Sequence, residues 1–113
     1  MNLYDKAHEL ARALRESPEY AEMRAALAAA QGDADASRML EDFRGRQAEL
    51  QERFMKGEEP TAEEMERMEK LYKVIGLNAI VRRLFEAERR LAVVTEDVQR
   101  ITSEPLAQLY KQQ

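Results

Sequence analysis

The chain has 113 residues, 18 basic against 22 acidic side chains, and a net charge of −4; 35% of residues are charged, 44% hydrophobic and 6% aromatic. That length suits one domain with a modest core, and the absence of cysteine excludes disulfides, thiolate metal sites and cysteine nucleophiles. A single histidine removes the usual zinc and di-iron ligand sets, and the acidic balance is of the wrong sign for a dedicated nucleic-acid binder.

The first helix is predicted from Leu3 to Glu16, with Asn2 able to cap it, and Leu3, Ala7, Leu10 and Leu14 form one face. Ser17-Pro18-Glu19 then punctuates the chain as cap, first helical residue and dipole-matched acid. The second helix runs over 18–30, with Tyr20, Met23 and Leu27 on its face and Gly32 as a left-handed stop. Asp33 or Asp35 can cap the third, over 34–56, whose face steps through Ala36, Leu40, Phe43, Gln47, Leu50 and Phe54 to a stop at Gly57. Thr61-Ala62-Glu63-Glu64 is a capping box that opens the fourth helix, over 62–75, with Met65, Met68, Tyr72 and Ile75 on its face. At Gly76 to Asn78 both a kink and a full break stay open. The fifth helix, over 79–103, repeats Ile80, Leu84, Ala87, Leu91, Val94, Val98 and Ile101 at alternating four- and three-residue steps. Glu104-Pro105 ends or bends it, leaving a short apolar tail over 105–111. No strand signal appears.

The expected fold is all-α. It is a single elongated helical bundle, 1–113, with a long antiparallel hairpin of the third and fifth helices plus two shorter N-terminal helices. Stripes this continuous exceed what two short helices can cover, which predicts a homodimer or another stable partner. No run approaches the ~18 apolar residues of a membrane span. Lys6 is followed by no apolar signal region, because Asp5, His8 and Glu9 interrupt it, so the expected location is the cytoplasm.

The residues that could carry chemistry are few. His8 lies beside Ala7 off the main stripe, where surface exposure explains it without a catalytic role. Asp33-Ala34-Asp35-Ala36-Ser37 resembles the start of a calcium loop, but Arg38 and Arg44 stand where glycine and glutamate are needed. No phosphate loop, dinucleotide fingerprint or nucleophile elbow occurs, so no catalytic, cofactor or metal residue is assigned. Six glutamate-to-base pairs at four-residue spacing, among them Glu49 to Arg53 and Glu63 to Arg67, support exposed helices. Two imbalances remain: an acidic stretch from Glu58 to Glu69, and a basic cluster of Arg82, Arg83, Arg89 and Arg90 around Glu86 and Glu88. The cluster is the candidate surface for a protein partner, with RNA phosphates as the alternative; Phe85 is the one aromatic beside it, which gives base stacking little support. The methionines fit an adaptable binding surface, but Met65 and Met68 lie on the apolar face and are expected in the core.

The order of these features resembles the YheA/YmcA/YlbF-like superfamily of small helical bacterial proteins, closest to its YheA branch. The residues that carry the likeness are Leu3-Tyr4-Asp5, Ser17-Pro18-Glu19, Phe43 with Gln47, Gly57-Glu58-Glu59, Thr61-x-Glu63-Glu64, Glu86-Ala87-Glu88, and Pro105-Leu106 before Leu109-Tyr110. The resemblance implies an all-helical, self-associating, non-enzymatic regulator. The better-known relatives act in competence, biofilm formation and sporulation and affect RNA processing by ribonuclease Y. The cysteines tied to iron–sulfur clusters in those relatives have no counterpart in this chain.

Overall fold

The computed structural model describes residues 2–112 and is all-α, with α1 (Leu3–Arg15), α2 (Pro18–Gln31), α3 (Ala34–Met55), α4 (Ala62–Ile75) and α5 (Ala79–Lys111). No strand occurs among the described residues.

Short polar side chains set where each helix starts. The Asn2 side-chain oxygen accepts from the Tyr4 amide at 2.8 Å, and Ser17 Oγ accepts from the Tyr20 amide at 3.2 Å. Asp33 caps α3 by accepting from the Ala36 amide at 2.9 Å, which leaves Asp35 to pair with Arg38. Thr61 and Glu64 form both bonds of the capping box, at 3.1 and 3.2 Å. Asn78 settles the open question before α5: its side chain accepts from the Ile80 and Val81 amides at 2.9 and 3.1 Å, so α4 and α5 are separate helices.

The helix ends divide by backbone conformation. Gly57 has φ 87°, and around it the Glu58 amide reaches the Arg53 carbonyl and the Gly57 amide the Phe54 carbonyl, a Schellman end. Gly32 is not left-handed, contrary to expectation. The chain changes direction one residue later, at Asp33 in an extended conformation (φ −116°), so the glycine needs no special φ. The end of α5 also corrects the sequence reading. It runs through Pro105 to Lys111 instead of stopping at 103 with a separate tail. Proline removes one amide from the helical ladder, and residues 101–111 are exposed throughout, so water can meet the carbonyl it leaves.

The chain forms two compact units. One joins Met1–Met23 with Glu86–Gln113, and the other is Arg24–Phe85. Nearly all buried apolar side chains belong to the second: Ala26 and Ala30 of α2, Ala36, Leu40 and Phe43 of α3, Ile75 of α4, and Val81 and Leu84 of α5. On α2 the expected face of Tyr20, Met23 and Leu27 is only half-buried, and the alanines take the interior. A methyl-sized side chain lets a helix approach its neighbours more closely than a methionine would.

The antiparallel hairpin is formed by α3 and α4. Arg53 meets Glu64 near the tip, Leu50 and Arg46 line a hollow with Arg67 and Met68, and Phe43 meets Tyr72 further down. The sequence pointed to a pairing of the third helix with the fifth, because those are the two longest expected helices. A six-residue connection clamped at both ends instead returns the chain directly onto α3. Met65, expected in the core, is exposed on this hairpin.

Candidate functional site

The candidate residues all lie on α5, and their environments differ along it. Arg82, Arg83, Glu86, Arg89 and Arg90 are exposed. Residues seven apart return to nearly the same direction on a helix, so Arg82 shares a face with Arg89, and Arg83 with Glu86 and Arg90. Arg82 and Arg83 belong to the unit Arg24–Phe85, and Glu86, Arg89 and Arg90 to the other. Arg90 shares a shallow hollow of about 150 Å³ with Pro18, Glu19, Glu22 and Ala87. Two carboxylates beside it reduce the positive potential that an RNA backbone would need.

The apolar stripe has a gradient. Leu84 is fully buried, Ile80, Leu91, Val94 and Val98 are half-buried, and Ile101 is 60% exposed. Val81, outside the predicted stripe, is fully buried. Val81 and Leu84, three residues apart, share one face of α5 and are buried together.

In the unit built from α1, the start of α2 and the later part of α5, α1 lies antiparallel to α5. Pro18 is beside Ala87 and Arg90, whereas Ala7, Leu10, Ala11 and Leu14 face Thr95, Val98 and Gln99 across an open groove of about 290 Å³. That groove is apolar apart from Thr95 and Gln99. The same two helices leave Leu3, Tyr4, Ile101, Leu106, Leu109 and Tyr110 exposed, and α1 has no buried residue at all. Large apolar side chains are thus left in contact with water along both helices. The N-terminal Leu3-Tyr4 and the Leu106 to Tyr110 segment were readable in sequence as apolar, but their shared exposure was not.

In the other unit the sharpest electrostatic feature is at the hairpin tip. Arg53 forms a two-pronged bond to the Glu64 carboxylate and also reaches Glu58 at 3.2 Å. Bonding to Arg53, with the Thr61 amide second, holds the Glu64 carboxyl well below the usual carboxylate range, at about 2. Arg53 is raised in turn, chiefly by its bonds to Glu64 and Glu58. Each displacement is thus caused by the other member of a clamp that ties α3 to the start of α4. The expected Glu49 to Arg53 pair is displaced by this tie, while Glu52–Lys56, Glu63–Arg67, Glu66–Lys70 and Glu69–Lys73 form at 3.4–3.6 Å. Further along the hairpin, Tyr72 stacks on Phe85 with centroids 4.9 Å apart, and Phe43 lies 5.8 Å from Tyr72 and 6.0 Å from Phe85.

A third hollow, of about 300 Å³, has Leu27, Leu40 and Leu84 as its floor and Gln31, Ser37, Glu41 and Arg44 among its rim. His8 is exposed on α1, and no group of three His, Cys, Asp or Glu among the described residues is arranged to hold a metal ion. No helix of the described residues is long and apolar enough to cross a membrane.

Comparison with known proteins places this architecture. The family model for control of competence regulator ComK, YlbF/YmcA, matches residues 3–107. A UPF0342 protein from Alkalihalophilus pseudofirmus is 38% identical over 109 residues, 96% of this chain and 92% of the relative. Among solved structures, a DUF964 protein of unknown function from Bacillus stearothermophilus superposes with a TM-score of 0.88 at 28% identity, covering 96% of this chain and 95% of that one. YheA from Bacillus subtilis gives a TM-score of 0.73 at 27% identity, covering 97% and 100%.

Proposed function

The chain belongs to the YlbF/YmcA family of competence-control regulators, and we propose that it is a non-enzymatic, cytoplasmic regulator that acts through protein–protein contact. The observation that carries this reading is the number of large apolar side chains left exposed along α1 and the later part of α5: Leu3, Tyr4, Leu10, Ile101, Leu106 and Leu109. Water contact at so many large apolar groups is unfavourable by ~25 cal/mol per Å², and a second copy of the chain is the simplest cover. An isologous pairing sets the same stripe against itself and needs no charge matching across its centre. The family's link to the competence regulator ComK gives the reading its biology: control comes from the state of association, not from bond chemistry.

The test is a Leu10→Ser/Ile101→Ser variant, compared with the unaltered protein by sedimentation and by complementation of a deletion strain. The unaltered protein is expected to self-associate at micromolar concentration and the variant to be monomeric, folded and unable to complement. An unaltered protein that stays monomeric, or a monomeric variant that complements fully, overturns the reading.

A further inference from the structure

We propose that a second copy of the chain packs on one flank of the α1–α5 pair, the flank that carries the groove of about 290 Å³, and leaves the opposite flank in water. The proposal rests on the self-association reading above and adds the surface on which association occurs.

Helical spacing gives the pair two unlike flanks. Ala7, Ala11 and Leu14 of α1 and Thr95 and Gln99 of α5 form the walls of the groove, over a floor of Leu10 and Val98. Steps of three, four and seven residues continue the walls through Tyr4 on α1 and through Thr102, Leu106 and Tyr110 on α5. None of these wall positions is charged, although 35% of the chain is. The other flank lies about 160° round each helix. It carries Lys6, Glu9 and Glu16 on α1 and Asp97, Glu104 and Lys111 on α5. Lys6 and Glu9 pair there at 3.2 Å.

The groove flank is the one short of cover. Tyr4 is 77% exposed, Leu106 61% and Tyr110 78%, and Leu3 and Leu109 at its edge are exposed as well. Its hydroxyls ask for no partner from outside: Thr95 donates to the Ala92 carbonyl at 3.0 Å and Thr102 to the Gln99 carbonyl at 3.1 Å. With the groove walls, these side chains offer on the order of 800 Å², the area each partner buries in an interface of standard size.

The missing charge selects the occupant. A nucleic acid needs cations facing its phosphates, and a helix that lies on a lipid surface carries lysine and arginine beside its apolar strip; the groove walls have neither. A second copy brings a surface of the same uncharged character, and a two-fold axis makes every contact twice. Pairing through the opposite flank would instead strip water from charged side chains, which costs more than their mutual contacts return.

The experiment compares two matched double variants of the full-length protein by sedimentation over a concentration series. Ala11→Glu/Gln99→Glu puts two carboxylates on the groove flank, and Ala13→Glu/Gln108→Glu puts two on the opposite flank. Ala11 is half-buried beside the open groove and the other three positions are exposed, so unchanged helical content by circular dichroism is expected of both. The dissociation constant is expected to rise at least tenfold in the first variant, whose new charges are covered on association, and to stay nearly unchanged in the second. Tyr110→Trp supplies a tryptophan to a chain that has none. Its emission is expected to move to the blue as the protein is concentrated, and adding Ala11→Glu/Gln99→Glu should abolish that shift. Equal weakening by the two double variants overturns the proposal, as does a larger effect from the opposite flank or an emission that ignores concentration. A blue shift of dilute protein that needs phosphatidylcholine vesicles makes a lipid surface the occupant and overturns it too. If Leu10→Ser/Ile101→Ser abolishes self-association while Ala11→Glu/Gln99→Glu leaves it intact, the flank falls and the self-association reading stands. An unaltered protein that stays monomeric removes both.

Discussion

Leu84 and Ile101 belong to one heptad stripe, and truncating each separates what the stripe promises from what the structure delivers. Leu84 is 1% exposed, packed near Leu27, Ala30 and Leu40, and Ile101 is 60% exposed. Leu84→Ala loses the transfer energy of a fully buried leucine and leaves a void, in a range of ~2–5 kcal/mol. The site adjoins an open hollow of about 300 Å³, which lets water or Leu27 relax into the gap, while the small Ala26 and Ala30 cannot fill it. The expected cost is therefore ~3 kcal/mol, in the lower half of that range. A domain of this size loses roughly 3–6 °C of melting temperature per kcal/mol, so the midpoint should fall by about 10–15 °C. Ile101→Ala, being mostly solvated within one chain, should change monomer stability by less than ~0.5 kcal/mol. Urea titration at sub-micromolar concentration measures both without a contribution from self-association. A Leu84→Ala cost below ~1 kcal/mol, or an Ile101→Ala cost equal to it at that dilution, would refute the placement of the core.

Three further outcomes are expected. Asn78→Ala removes the side chain that caps α5 at Ile80 and Val81 and should cost ~0.5–2 kcal/mol in urea unfolding; a neutral result would mean that α4 and α5 need no cap to separate. Gly57→Ala forces a Cβ into φ 87°, where no neighbouring atom obstructs it, so the cost should be purely conformational, ~1–2 kcal/mol, and Gly57→Asn should cost less. Acid stability should report the clamp: Glu64 has its folded value lowered to about 2 from an ordinary 4.5, so its contribution is complete above 4.5 and is lost as pH falls through 2. Glu64→Gln should lower stability at neutral pH and flatten the acid slope in that window, and an unaltered slope would show that another carboxylate carries it.

Much of the local structure is legible without coordinates because it depends on residues a few positions apart. Asn2, Ser17, Asp33 and Thr61 start helices by bonds that reach no further than three residues. Gly57 ends α3 by its own backbone freedom. The candidate surfaces are harder to read. A stripe shows which direction is apolar, but Leu84 and Ile101 are indistinguishable in it, and only the length of the neighbouring helices sets where cover stops. Met65 likewise shares a face with Tyr72 in any register, and only the arrangement of the hairpin leaves both open.

By itself the sequence determined most helix starts, the caps at Asn2, Ser17 and Thr61 and an all-α chain without the ligand sets for common metal or thiol chemistry, because periodicity, capping and composition are local or global sums. Tertiary structure decided that α3 returns on α4, that Arg53 leaves Glu49 for Glu58 and Glu64, that Ala26, Ala30 and Ala36 lie in the interior, and which apolar groups stay in contact with water. Those outcomes depend on which helix competes for which face, and that competition is resolved only when distant segments pack together.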